Sequence, residues 1–182
     1  MCCSMSASQM SDTIVFGGVA HDGDHLLGYQ NKAKSLNKLT NAMIIPVPSS
    51  NELKQNNIFN LSIDKDIFKN IERNLFARRA RGSANVFLNS RSIGTYEIFK
   101  SGNYTVVTAS HAKLLSTAIK DLPKNMRPEL PEDILNAYYE WYPQEKWKMA
   151  LFVWEGKDEM ESDPVLIKYT PSDSDNIFMP GL

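Results

Sequence analysis

Thr13-Ile-Val-Phe-Gly-Gly-Val-Ala-His-Asp-Gly-Asp-His-Leu-Leu-Gly-Tyr-Gln-Asn31 is the stretch on which the fold turns. Thr13 to Ala20 is short and rich in Ile, Val and Phe, residues that suit a pleated, half-buried strand. Asp22-Gly23 in the following polar run is a hairpin signal, because a type I′ turn needs positive φ at both central residues. His25 to Asn31 resumes as a second strand. The segment therefore predicts strand, tight turn, strand, and places the chain among folds built from antiparallel hairpins.

Moving outward, a polar stretch from Lys32 to Asn41 leads to Ala42-Met-Ile-Ile-Pro-Val-Pro48. Pro46 and Pro48 forbid a helix there and suggest an edge strand or an exit from a sheet. Between Asp64 and Ala80, the apolar residues Ile67, Phe68, Ile71, Leu75 and Phe76 form a helical stripe, with Asp64 as N-cap and Gly82 as stop. A second hairpin is expected around Ser101-Gly102. A short helix follows from Ser110, with Leu114, Leu115, Ala118 and Ile119 on its apolar side. Pro131 opens a third helix, where Glu132 and Asp133 complement the dipole and Ile134, Leu135, Tyr138, Tyr139 and Tyr142 face inward. Lys146 to Trp154 is apolar on both sides at its centre and reads as an inner strand. Pro164 to Thr170 is expected as its hairpin partner. These elements predict an α+β fold: a mainly antiparallel sheet built from hairpins, with about three helices covering one face. Residues 1–12 are expected as a flexible N-terminal segment and 13–182 as a single globular domain.

Composition agrees with that reading and excludes several functions. In 182 residues, 42% are hydrophobic and 23% charged, ordinary globular usage. A net charge of −1 removes the basic excess that drives nucleic-acid binding, so no nucleic-acid partner is expected. No apolar run approaches the roughly 18 residues of a membrane span. The two cysteines, Cys2 and Cys3, are adjacent, a spacing that strains a disulfide between them. With no internal disulfide framework and no secretory signal in the sequence as written, the expectation is a soluble cytoplasmic protein. An exported form remains open if a signal has been trimmed.

Three local clusters carry candidate chemistry. His21, Asp22, Asp24 and His25 offer imidazole and carboxylate ligands suited to zinc or another divalent ion, although a tight hairpin turn splays alternate side chains. Removal of Met1 would expose Cys2, whose own amine could activate its thiol as in N-terminal-nucleophile hydrolases. Arg78, Arg79 and Arg81 could bind an anion, but they also close a predicted helix, where positive charge complements the carbonyl end. His111 reads as a surface residue at a helix start, and the aromatic group from Tyr138 to Trp154 reads as core. No phosphate-cradling glycine loop, Gly-x-Ser-x-Gly elbow, Cys-x-x-Cys or His-Glu-x-x-His is present in the sequence, and no cofactor is expected.

Leu26-Leu-Gly-Tyr-Gln-Asn followed by Asn41 to Pro48, the strand Ile93-Gly-Thr-Tyr-Glu-Ile98, and Trp147 to Val153 with Pro164 to Tyr169 together resemble a bacterial domain family of unknown function. That family has a strand ending Pro-x-Pro and a closing hairpin. The resemblance implies no catalytic residues. The leading expectation from sequence is thus a non-enzymatic protein-interaction or assembly module, associating with protein or with itself through an edge strand at Ala42 to Val47. The alternatives are a cysteine-dependent hydrolase using Cys2 and a metal or small-ligand binder at the His21 to His25 hairpin.

Overall fold

The computed structural model describes residues 3–76, 96–156 and 160–180. Its strands are β1 (Cys3–Ser4), β2 (Ser8–Val19), β3 (His25–Ser35), β4 (Asn41–Val47), β5 (Ile58–Asn60), β6 (Tyr96–Ser101), β7 (Tyr104–Ala109), β8 (Lys148–Trp154), β9 (Met160–Glu161) and β10 (Val165–Tyr169). They form two antiparallel sheets. The first runs β1-β4-β8-β7-β6, and the second runs β2-β3-β10-β5 with β9 beside the far end of β3. The helices are α1 (Ile67–Phe76), α2 (Ala112–Ala118) and α3 (Glu132–Trp141). The α+β class and the hairpin construction are as the sequence predicts.

The strand period assigns the faces of the first sheet. Met43, Ile45 and Val47 of β4, with Phe152 and Trp154 of β8, point toward the second sheet, where they meet Leu27, Tyr29, Val165, Ile167 and Tyr169. Ala42 and Ile44, with Met149, Leu151 and Val153, point the other way and pack on Leu115 of α2 and on Leu135 and Tyr138 of α3. Every residue of β4 and β8 is buried, because both strands are covered above and below. α1 lies elsewhere. Its Phe68 is seated on the far face of the second sheet, stacked on Phe16 with ring centroids 6.0 Å apart. Gly28 on β3 makes room for it, since a Cβ there would stand 2.6 Å from the Phe68 ring. Asp64 caps the turn before α1, accepting a hydrogen bond from the Asp66 amide at 3.0 Å.

Several expectations are corrected by this topology. Ala42 to Val47 is an edge only in part: β4 pairs with β8 along its whole length and with β1 at Met43 and Ile44, while Ile45 to Val47 have no second strand partner among the described residues. Pro46 is tolerated opposite Met149, beyond the short reach of β1. Pro164 to Thr170 is not the hairpin partner of β8. Both flanks of β8 are taken by β4 and β7, so the chain crosses to the second sheet, where β10 inserts between β3 and β5. Residues 3–12 do not stand apart as a flexible segment. They supply β1, the buried Met5 and the start of β2, which pairs with β3 from Ser8 onward.

The hairpin turn also differs from type I′. Gly23 has φ +87°, whereas Asp22 has ordinary negative φ. The Gly23 amide donates to Ala20 O at 3.0 Å and the Ala20 amide to Asp24 O at 2.7 Å. These bonds close a three-residue loop, His21 to Gly23, in which only the glycine needs the left-handed region.

Candidate functional site

β2 is the long strand with an open flank. It pairs with β3 from Ser8 to Val19, with a register shift between Ser11 and Ile14, and has no other strand partner among the described residues. The shift coincides with Asp12, whose φ is +51°. There Lys32 of β3 reaches across to the Asp12 carboxylate at 2.7 Å, and this bond holds the Asp12 carboxyl below the usual carboxylate range. Beyond the shift the pairing is regular through Ile14-Val-Phe-Gly-Gly-Val19, six residues without charge or proline.

The backbone of that run can be assigned by alternation. The Ala20 amide points toward β3, as its bond to Asp24 O shows. Successive residues of a strand direct their N–H and C=O to opposite flanks. Gly18, Phe16 and Ile14 therefore bond to β3, and Val19, Gly17 and Val15 present theirs to the open flank. Large exposed apolar side chains gather at this edge. Val19 is 56% exposed, and Ile177 and Met179, at 49% and 57%, lie against Gly17 from the extended segment that follows β10. An added Cβ at Gly17 would sit 2.9 Å from Ile177 Cγ2. An unpaired, uncharged and proline-free flank bordered by exposed aliphatic groups is the surface that proteins ordinarily blunt with charge or cover.

The loop at the end of β2 is closed by ions of its own. Lys168 of β10 donates to the Asp22 carboxylate and lies 3.5 Å from Asp24 Oδ2, while Thr170 Oγ1 donates to Asp24 Oδ1 at 3.0 Å. The Lys168 bond holds the Asp22 carboxyl below its usual range, and the same bond raises the Lys168 ammonium. His21 is exposed on the turn. His25 is buried, with its ring edge-on to Tyr169 at 5.9 Å. The four residues read as metal ligands are thus not brought together. A lysine occupies the space between the two carboxylates, and one imidazole faces the core. Among the described residues no three or more His, Cys, Asp or Glu side chains converge to hold a metal ion.

Other groups sort as follows. Cys2, Arg78, Arg79 and Arg81 lie outside the described residues. His111 is the N-cap of α2 without a side-chain capping bond, edge-on to Tyr139 at 5.4 Å. Burial pushes its imidazole pKa down, and the nearby Lys113 adds to that. Lys148 donates to Gln144 O at 2.6 Å and faces Glu52 Oε1 at 3.8 Å. Between the sheets Asn31 takes part in a buried polar group: its amide nitrogen donates to Tyr29 Oη, its backbone N–H donates to Ser162 Oγ, and Tyr104 Oη donates to Asn31 Oδ1. Burial pushes the Tyr104 phenol up. A cleft of about 360 Å³ is lined by Lys38, Thr40, Lys124, Arg127, Glu129 and Glu155. Its guanidinium is spent on structure, since Arg127 donates to Leu122 O at 2.8 Å and Lys120 O at 2.5 Å. Of the aromatic group, Tyr138, Phe152 and Trp154 are buried as expected, while Trp141 stands exposed.

The β2 edge was legible only in part. Ile14 to Val19 lacks charge, and as the first strand of its hairpin it has one guaranteed neighbour. In Ala42 to Val47 the proline points to an edge, although the unbroken apolar run is the pattern of a strand buried on both faces.

No protein-family model matches this chain, and no curated protein matches it. Among solved structures it is similar to the crystal structure of baculovirus P35, with a TM-score of 0.45 and 17% sequence identity. That alignment covers 90% of this chain and 55% of the other, so this chain spans about half the length of the structure it matches. No helix among the described residues is long and apolar enough to cross a membrane.

Proposed function

We propose that this protein is a protein-binding module that takes an extended segment of another polypeptide along the open flank of β2. The observation that carries the reading is the run Ile14 to Val19: uncharged, free of proline, and paired on one side alone among the described residues. Val15, Gly17 and Val19 offer their backbone groups to an incoming strand, which supplies affinity without regard to sequence. Selectivity comes from the rims. On the inner side a partner meets Ile177 and Met179, and on the outer side it meets Phe16, itself braced by Phe68. Both rims are apolar, so the favoured partner segment carries Val, Ile, Thr or aromatic residues, with few charges.

A panel of extended peptides tests this directly. Hexapeptides rich in Val and Thr are expected to bind and to slow hydrogen exchange at the amides of Val15, Gly17 and Val19. Peptides of equal hydrophobicity with alternating proline are expected to do neither. Val15→Pro removes one outward donor without taking a bond from the β2–β3 ladder, and should abolish the response while the fold, followed by circular dichroism, persists. Equal binding of both peptide sets, or protection elsewhere in the molecule, would defeat the reading.

A further inference from the structure

We infer that the strand received at this edge is β2 of a second copy of this chain, paired antiparallel about a two-fold axis through Phe16. The inference rests on the strand-addition reading and adds its occupant and register. An isologous contact requires a surface that matches itself when reversed. Reversal of Ile14-Val15-Phe16-Gly17-Gly18 about Phe16 sets Ile14 opposite Gly18 of the second copy and Val15 opposite Gly17. Ile14 and Val15 therefore face glycines, Phe16 faces its own copy, and no two like charges meet. Asp12 would stand opposite Ala20, clear of the axis, with its carboxylate already engaged by Lys32.

Backbone geometry admits this register and every second one beside it, and the side chains choose among them. Val15 and Gly17 both direct N–H and C=O outward, so in this alignment they exchange a complete pair of hydrogen bonds on either side of the axis. Phe16 and its mate then form a non-hydrogen-bonded pair, the arrangement in which facing side chains come closest. Shifting the alignment by one residue would bring inward-directed groups opposite outward-directed ones and lose those bonds. The side chains around the axis support this. On the outer face the stacked pair Phe16 and Phe68 would continue into its symmetry mate as a row of four rings. On the inner face Ile177 and Met179, about half exposed in the single chain, would be covered by Val15 of the second copy. The contact is one short strand and its rims, below standard interface size, so the dimer should be weak, with a dissociation constant on the order of micromolar or above.

The full chain provides the test. In sedimentation equilibrium, the mass of the unaltered protein should rise with concentration from that of one chain toward two. Cysteines are then placed in a Cys2→Ser, Cys3→Ser background. Under mild oxidation Phe16→Cys should cross-link to itself, because a residue on the axis faces its own copy at a separation that suits a disulfide. Ile14→Cys and Gly18→Cys should each remain single, and their mixture should yield a cross-linked heterodimer. A protein that stays monomeric throughout, or that dimerises with cross-links at other positions, overturns the inference. The mass of the unaltered chain keeps the test decisive if Phe16→Cys does not fold. If the chain is monomeric while Val- and Thr-rich peptides still protect Val15, Gly17 and Val19, strand addition stands and the second copy alone is refuted. Failure of both measurements removes both.

Discussion

β2 and β4 are both strands rich in β-branched residues, yet they occupy opposite situations. β4 lies between β1 and β8, with Met43 and Ile45 pressed on the second sheet and Ile44 pressed on the helices. β2 has β3 on one flank and open backbone on the other from Ile14 to Val19 among the described residues. Hydrophobicity alone does not separate them. What separates them is cover: layers stand on both sides of β4, whereas β2 is half-exposed along most of its length. The proposed function rests on the difference, since only a strand with an unfilled flank can accept another.

The comparison breaks most sharply under a charge. Ile44→Lys buries an ammonium against Leu115, Leu151 and their neighbours with no carboxylate in that cluster, and is expected to cost more than about 4 kcal/mol. Ile14→Lys places the same group on a half-exposed strand where the ammonium can reach water, and should cost within about 1 kcal/mol. Urea denaturation of the two variants measures both. Similar losses would mean that β2 is covered as thoroughly as β4.

A smaller effect is expected where the far face of the second sheet meets α1. Gly28→Ala drives a methyl to 2.6 Å from the Phe68 ring and 3.0 Å from Phe16 Cβ, so the ring has to swing off the sheet. A loss of about 1–3 kcal/mol follows, as for other overpacked sites. Phe68→Leu combined with Gly28→Ala should recover part of it, because a smaller side chain makes room for the new methyl. No recovery would show that the strain lies in the β3 backbone instead.

How far the sequence disclosed this arrangement depends on the kind of contact. Asp22-Gly23 located the first hairpin, and the spacing of Ile67, Phe68 and Ile71 located α1, because turns and helical stripes are local. Pro131 with Glu132 and Asp133 likewise marked the start of α3. The neighbours of β4 and β10 were not legible. Periodicity reports which faces of a strand are buried, but not which distant strand lies alongside, and β10 pairs with segments more than a hundred residues away. The burial of Met5 was not legible for a similar reason: the scattered methionines of the Ser-rich terminus, Met1, Met5 and Met10, follow no single period. At the hairpin, four potential ligands were visible within five residues, but Lys168, which occupies the space between two of them, comes from far along the chain.

That lysine leads to a pH-dependent contrast between the closed end of β2 and its open flank. Asp22 has a lowered pKa in the folded protein, so its contribution is present above about 3.8, the ordinary value, and is lost as pH falls through the lower folded value. Lys168 is raised, so its contribution is complete below about 10.5 and is lost as pH climbs through the higher folded value. Between these limits Asp22→Asn should melt at a slightly lower temperature than the unaltered chain, and the two curves should converge at either extreme. Both groups are exposed and the pair is screened, so added salt should narrow the gap. The open flank should show no such dependence, since Ile14 to Val19 carries no ionisable side chain.

The smallest effect on stability belongs to Val19. It is 56% exposed at the end of the open flank, and Val19→Lys should change the unfolding free energy by no more than about 0.5 kcal/mol. Its effect on strand addition should be larger than its effect on folding, because a charge at the edge of a sheet discourages an incoming strand without disturbing the native ladder. Urea melts and the affinity of the Val- and Thr-rich peptides, measured on the same preparation, separate the two quantities. Unchanged affinity would move the receiving part of the edge toward Ile14 and away from the hairpin. Parallel losses of affinity and stability would mean that Val19 is structural and that the flank of β2 is not where a partner docks.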